Sequence, residues 1–157
     1  MRKVLATCAL LGVLCGSAAA HAAWVLEGSA GQGYRVNEPR GWEPTNIMFA
    51  PGFEFAGLVR AQLGLVADLG NVHDREFDLQ LRPMVGVYPP IIPLYARAIF
   101  AVENMLHHTQ VAVGGAVGVK IGIPVVGLGF FAEAGVLPRF SPAATVVEGR
   151  LGAYFVF

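Results

Sequence analysis

Eight stretches of this 157-residue chain alternate apolar and polar side chains with a period of two. That period belongs to an extended strand, whose successive side chains point to opposite faces. The stretches lie near 24–34, 46–55, 58–69, 77–88, 94–103, 109–121, 128–139 and 145–157, separated by turn-forming residues. In the third, Arg60, Gln62 and Asp68 oppose Val59, Ala61, Leu63 and Leu65. In the fourth, Asp78, Gln80 and Arg82 oppose Phe77, Leu79 and Leu81, and in the fifth Arg97 and Glu103 oppose Leu94, Phe100 and Val102. Glu54, Lys120, Glu133, Arg139, Glu148 and Arg150 oppose apolar rows in the second, sixth, seventh and eighth in the same way. The first is the least regular: Glu27 and Ser29 oppose Trp24 and Leu26, but Gln32 falls on the apolar side. Thirteen charged residues sit in these stretches, and in each stretch they share one face. Eight of them only set the phase of a strand, and random faces would align the other five about one time in thirty.

Composition narrows what such strands can build. The chain is 55% hydrophobic and only 14% charged. Beyond its first two dozen residues it has no unbroken apolar run of the roughly 20 residues that a spanning helix needs. The nearest, 111–137, contains Lys120, Pro124, Glu133 and many glycines. High apolarity without helical spans leaves a dense soluble β-core or a barrel facing lipid. In a β-sandwich or lipocalin-like barrel the apolar face would point inward and the charged face into water. The polar faces here are sparse in charge and rich in Gly, Ala, Gln and Met, which suits a packed interior better than a solvated exterior.

The N-terminal segment reads as a secretory leader. Arg2 and Lys3 precede an apolar run from Val4 to about Leu14, and Ala20-His21-Ala22 is a small-residue cleavage site. We expect a leader over 1–22 and one β-barrel domain over 23–157. Both cysteines, Cys8 and Cys15, fall in the leader, so the domain is expected to have no disulfide, thiol nucleophile or Cys-based metal site. Leu14 stands where a lipoprotein signal before Cys15 would want a small residue. Losing Arg2 and Lys3 leaves 9 basic against 11 acidic residues, with no basic patch, so nucleic acid is not an expected partner.

The last strand carries a residue-specific motif. Arg150, Gly152, Phe155 and Phe157 match the polar, glycine, aromatic, terminal-aromatic spacing of the C-terminal signal read by the bacterial barrel-assembly machinery. Together with eight strands, the chain resembles the small eight-stranded outer-membrane barrels of the OmpA/OmpX type. The resemblance implies an all-β, eight-stranded antiparallel up-and-down transmembrane barrel. It also implies an outer-membrane location in a Gram-negative-type bacterium, reached through the periplasm. Membrane lipid and, during biogenesis, the assembly machinery are then the partners of a monomer. The short connections Ala56-Gly57, 89–93 and 122–127 would be periplasmic turns. The more polar 35–45, 70–76, 104–108 and 140–144 would face outward, although they are short for that type.

An eight-stranded barrel encloses just enough room for its own side chains. Glu27, Glu54, Arg60, Arg82, Arg97, Lys120, Glu133, Glu148 and Arg150 are the expected lumen residues, and their mixed signs predict an internal salt-bridge network. A narrow path for ions or small solutes is the alternative. His73, His107 and His108 lie in outer loops near Glu103 and Ser141, so a lipid-modifying hydrolase is a second alternative. No motif spacing supports it, and adjacent histidines point apart in extended chain. No catalytic, cofactor or metal residue is assigned. Trp24, Phe49, Phe53, Phe55, Tyr95, Phe100, Phe130, Phe155 and Phe157 are the expected lipid-facing aromatics. The expected role is structural or surface-interacting, without catalysis and with an unidentified surface partner.

Overall fold

A computed structural model describes residues 22–70, 77–123, 125–140 and 143–157. Residues 1–21 of the expected leader, with Cys8, Cys15, Ala20 and His21, and the loop residues His73 and Ser141, lie outside the described residues, while Ala22, the last residue of the expected leader, opens the first strand. The described chain is all β. Its strands are β1 (Ala22–Arg35), β2 (Gly41–Trp42), β3 (Asn46–Phe55), β4 (Val59–Asp68), β5 (Asp78–Val87), β6 (Leu94–Glu103), β7 (Gln110–Ile123), β8 (Leu128–Phe140) and β9 (Ala143–Val156). Every long strand pairs antiparallel with its sequence neighbour, and β1 also pairs with β9 from Val25↔Val156 to Arg35↔Val146. The sheet therefore closes into an up-and-down barrel of eight long strands, with β2 a short addition at the end of β1.

Closure leaves no sheet edge, so the ladder satisfies backbone groups all the way round. The seam is fastened at its end by reciprocal bonds: Trp24 N donates to Phe157 O at 2.9 Å and Phe157 N to Trp24 O at 3.0 Å. Three prolines sit in strand interiors, where a missing N–H costs a ladder bond. Pro51, Pro83 and Pro138 each keep a paired neighbour on one side, while pairing lapses around them on the other, at β4, β6 and β7 respectively.

The two faces of the wall are chemically opposite. The large apolar side chains of one parity point out: Phe49 and Leu65 are each 52% exposed, and Val117 is 64% exposed. The fourteen charged side chains of the strands have the other parity, pointing into the barrel, and eleven of these are buried. A water-soluble barrel has the reverse arrangement, with a dry lumen and a charged exterior. Tyr95 corrects one sequence expectation. It shares parity with Arg97 and is buried in the lumen rather than placed on the outer face.

Candidate functional site

Inward side chains fill the lumen in layers between the end bearing the tight turns and the end bearing the longer loops. At the turn end, Arg60 Nε donates to Glu54 Oε2 at 2.5 Å. The Arg60 guanidinium also lies 4.4 Å from the ring centroids of both Tyr88 and Tyr154. A cation between two aromatic faces is held by their quadrupoles, most strongly where water is excluded. Tyr88 stacks on Tyr95 at 4.6 Å, and Tyr95 meets Phe131 edge-on at 6.2 Å. Glycines on neighbouring strands seat these rings. A Cβ on Gly118 would come within 2.5 Å of Tyr95, and one on Gly129 within 2.3 Å of Tyr154. Lys120 Nζ donates to the Tyr88 carbonyl at 3.2 Å and has no carboxylate partner among the described residues.

The next layer is built on Arg97. Its Nη1 donates to Glu27 Oε1 at 2.9 Å, and its Nη2 donates to Glu133 Oε1 at 2.7 Å. Tyr95 Oη donates to Glu133 Oε2 at 2.9 Å, and Gln62 Nε2 to Glu27 Oε2 at 3.1 Å. Planar guanidinium suits this role because its fork can serve two carboxylates at once. One strand step further, Met48, Val66, Met84, Ile99 and Leu137 form an apolar belt of buried side chains across the lumen.

Beyond the belt, the loop end opens into a polar cup of about 360 Å³. Arg82 forms its floor. Its Nη1 donates to both oxygens of Glu148, at 2.7 and 2.9 Å, and its Nε donates to Gln80 Oε1 at 3.0 Å. Arg150 Nη2 donates to Asn46 Oδ1 at 2.7 Å and lies 3.7 Å from Glu148. Arg139 Nε donates to Glu103 at 2.5 Å, and Arg139 also lies 3.3 Å from Glu43, which Arg35 reaches at 2.8 Å. Asp78 Oδ1 accepts bonds from the amides of Leu79 and Leu106, and its Oδ2 lies 2.9 Å from His107 Nδ1. A separate cavity of about 340 Å³ lies at the turn end, lined by Glu54, Arg60 and Tyr154 among others. The two cavities share no lining residue.

The structure thus divides the expected lumen residues among separate groups. Glu54 pairs with Arg60 at one end, Arg97 with Glu133 in the middle, and Arg82 with Glu148 and Arg150 toward the other. Asp68, Asp78, Glu103 and Arg139 complete the loop end. Their parity in the sequence already put them on one face with the expected lumen residues, but nothing in the sequence marked the cup. The lumen tyrosines and the apolar belt carried no sequence signal beyond parity either. Of the terminal motif, Arg150 points inward and Phe155 and Phe157 outward. Among the described residues no three His, Cys, Asp or Glu side chains converge as a metal site would require. Comparison of the chain with protein-family models, with curated proteins and with solved structures gave no match.

Proposed function

We propose that this chain is a β-barrel of the bacterial outer membrane, made with a leader over 1–22 and inserted as a monomer over 23–157. Its role on this reading is structural or surface-interacting, without catalysis, as in the small barrels of the OmpA/OmpX type. The observation that carries it is the direction of the side chains: hydrocarbon outward on every long strand, charge inward. An Arg or Lys facing the bilayer midplane costs about 2–4 kcal/mol, and an outer wall free of charge avoids that cost throughout. In water the same wall would be one continuous apolar patch, far above what soluble monomers tolerate. Arg150, Gly152, Phe155 and Phe157 serve on this reading as the assembly signal. The loop end, with its polar cup, faces the cell exterior, and the turn end faces the periplasm.

The test is cell fractionation followed by gel electrophoresis. The protein is expected in the outer-membrane fraction, with a mobility that changes on boiling as the closed barrel unfolds. Purified protein that stays monodisperse in detergent-free buffer would sink the proposal.

A further inference from the structure

The two rims of the barrel differ in more than the length of their connections. At the loop end the connections carry exposed Asn37, Glu38, Arg40, His107 and His108. At the turn end they read Ala56-Gly57-Leu58, Pro89-Pro90-Ile91-Ile92-Pro93 and Gly122-Ile123-Pro124-Val125-Val126-Gly127, without one polar side chain. Turns that stand in water commonly recruit Asn, Asp or Ser beside Gly and Pro. Here Ile91 is 93% exposed and Val125 is 94% exposed, and their neighbours Ile92 and Val126 are exposed as well.

These side chains continue the outer wall. Leu94 opens β6, and Ile121 and Ile123 end β7, all exposed and all on the outward rows. β7 runs past the start of β6, whose first residue, Leu94, pairs with Val119. Across the barrel, the strand ends at the same rim are aromatic: Trp24 on β1, Phe55 on β3 and Phe157 just after β9. Tryptophan marks the membrane–water boundary, whereas aliphatic side chains belong with hydrocarbon. The backbone suits the same place. Three of the five residues at 89–93 are proline and have no N–H to leave unpaired. In the neighbouring turn Val126 N donates to Ile123 O at 3.2 Å, and Gly127 O accepts from Val156 N at 2.9 Å. Backbone that meets lipid must have its polar groups satisfied within the protein.

We infer that the turns 89–93 and 123–127 are immersed in the periplasmic leaflet, with Ile91 and Val125 among acyl chains just below the headgroups. The turn end still faces the periplasmic side, but along β6 and β7 its tips stop short of periplasmic water. Lipid fits this surface better than a protein partner does. A specific protein interface carries about one hydrogen bond per 100–200 Å², and these turns offer no polar side chain to make one. Acyl chains ask for none. The inference deepens the membrane reading above and rests on it.

Residues 23–157 contain no cysteine, so single-cysteine variants of that chain each report one position. Ile91→Cys, Val125→Cys, Leu65→Cys within the outer wall and Glu38→Cys at the loop end are labelled with the fluorophore NBD. Each is folded into phosphatidylcholine nanodiscs, which leave both membrane faces open to solutes. A nitroxide high on the lipid acyl chain should quench the labels on residues 91 and 125. Dithionite should bleach those labels at least tenfold more slowly than the label on residue 38. If the label on residue 65 is quenched but those on 91 and 125 bleach as fast as that on 38, the inference is overturned and the membrane reading stands. An unquenched label on residue 65 overturns the membrane reading, and the inference with it. Slow bleaching at 91 and 125 without nitroxide quenching means that protein, a second copy included, covers the turns, and this also overturns the inference. NBD itself favours lipid, so the unlabelled wild type supplies a second measurement. Methyl protons of Ile91 and Val125 should cross-relax with acyl methylenes, and cross-relaxation with water alone overturns the inference. The same measurement decides should a labelled variant fail to fold.

Discussion

Arg97 shows how much one lumen residue carries. It is 4% exposed and bonds two carboxylates from strands on other parts of the wall. Arg97→Met leaves Glu27 and Glu133 buried without their cation, and removing one partner of a buried pair costs about 3–5 kcal/mol. The urea midpoint of the detergent-folded protein, read as loss of the compact gel band, should fall accordingly. Adding Glu27→Gln and Glu133→Gln to that variant should restore much of the loss, because no uncompensated charge remains. A second prediction concerns Tyr88, just past β5 at the turn end. Its phenol is pushed from 10.0 up to about 12, chiefly by burial, with Glu27 adding to the shift and Arg97 opposing it. The folded protein thus holds the proton more tightly than the unfolded chain. The associated stability is complete below about pH 10 and is lost as pH rises to about 12. A midpoint measured at pH 9 and again at pH 11.5 should show this fall, and Tyr88→Phe should lessen it.

At the level of elements, the turns carry the information that strands do not. Phe55 to Leu58 is closed by a 3.0 Å bond from Leu58 N to Phe55 O, with Ala56 at φ 54° and Gly57 at φ 63°. Two positive φ values mark a turn whose twist matches the flanking strands, and Asn-Gly is its favoured pair. Alanine in that region is strained by about 1–2 kcal/mol. Ala56→Asn should therefore raise the urea midpoint by a stabilisation of up to about 1 kcal/mol. An unchanged or lowered midpoint would show that the turn does not limit stability. Strand positions were readable because each long strand spans several periods of alternation. The stretch expected at 128–139 is Leu128–Phe140, and that expected at 145–157 is Ala143–Val156. β2 was not readable, since two residues hold no period. It exists because Gly41 and Trp42 pair back onto Arg35 and Tyr34, with the Trp42 and Tyr34 rings edge-on at 5.2 Å.

The whole molecule is a closed wall around a filled lumen, and that bears on conduction. Between the two end cavities lie the Arg97 layer and the apolar belt, both buried. Planar-bilayer recordings of the wild type should show no reproducible conductance steps, and stable steps would favour the narrow-pore alternative. The sequence by itself determined that there are eight long strands, roughly where each begins, and which side chains share a face. Those are properties of local period, which a chain carries residue by residue. It could not determine which face is the inside, because alternation is the same in a soluble barrel and an inverted one. Only closure decided that, by turning the charged rows inward. Closure also chose the partners: Arg82 and Glu148 are 66 residues apart in the chain, and Arg97 and Glu27 are 70. Such pairs depend on the stagger of strands around the barrel, a global quantity that no local pattern encodes. Asp68 faces Asp78 by the register of the single β4–β5 hairpin instead, and there the sequence showed only two more charges with the expected parity.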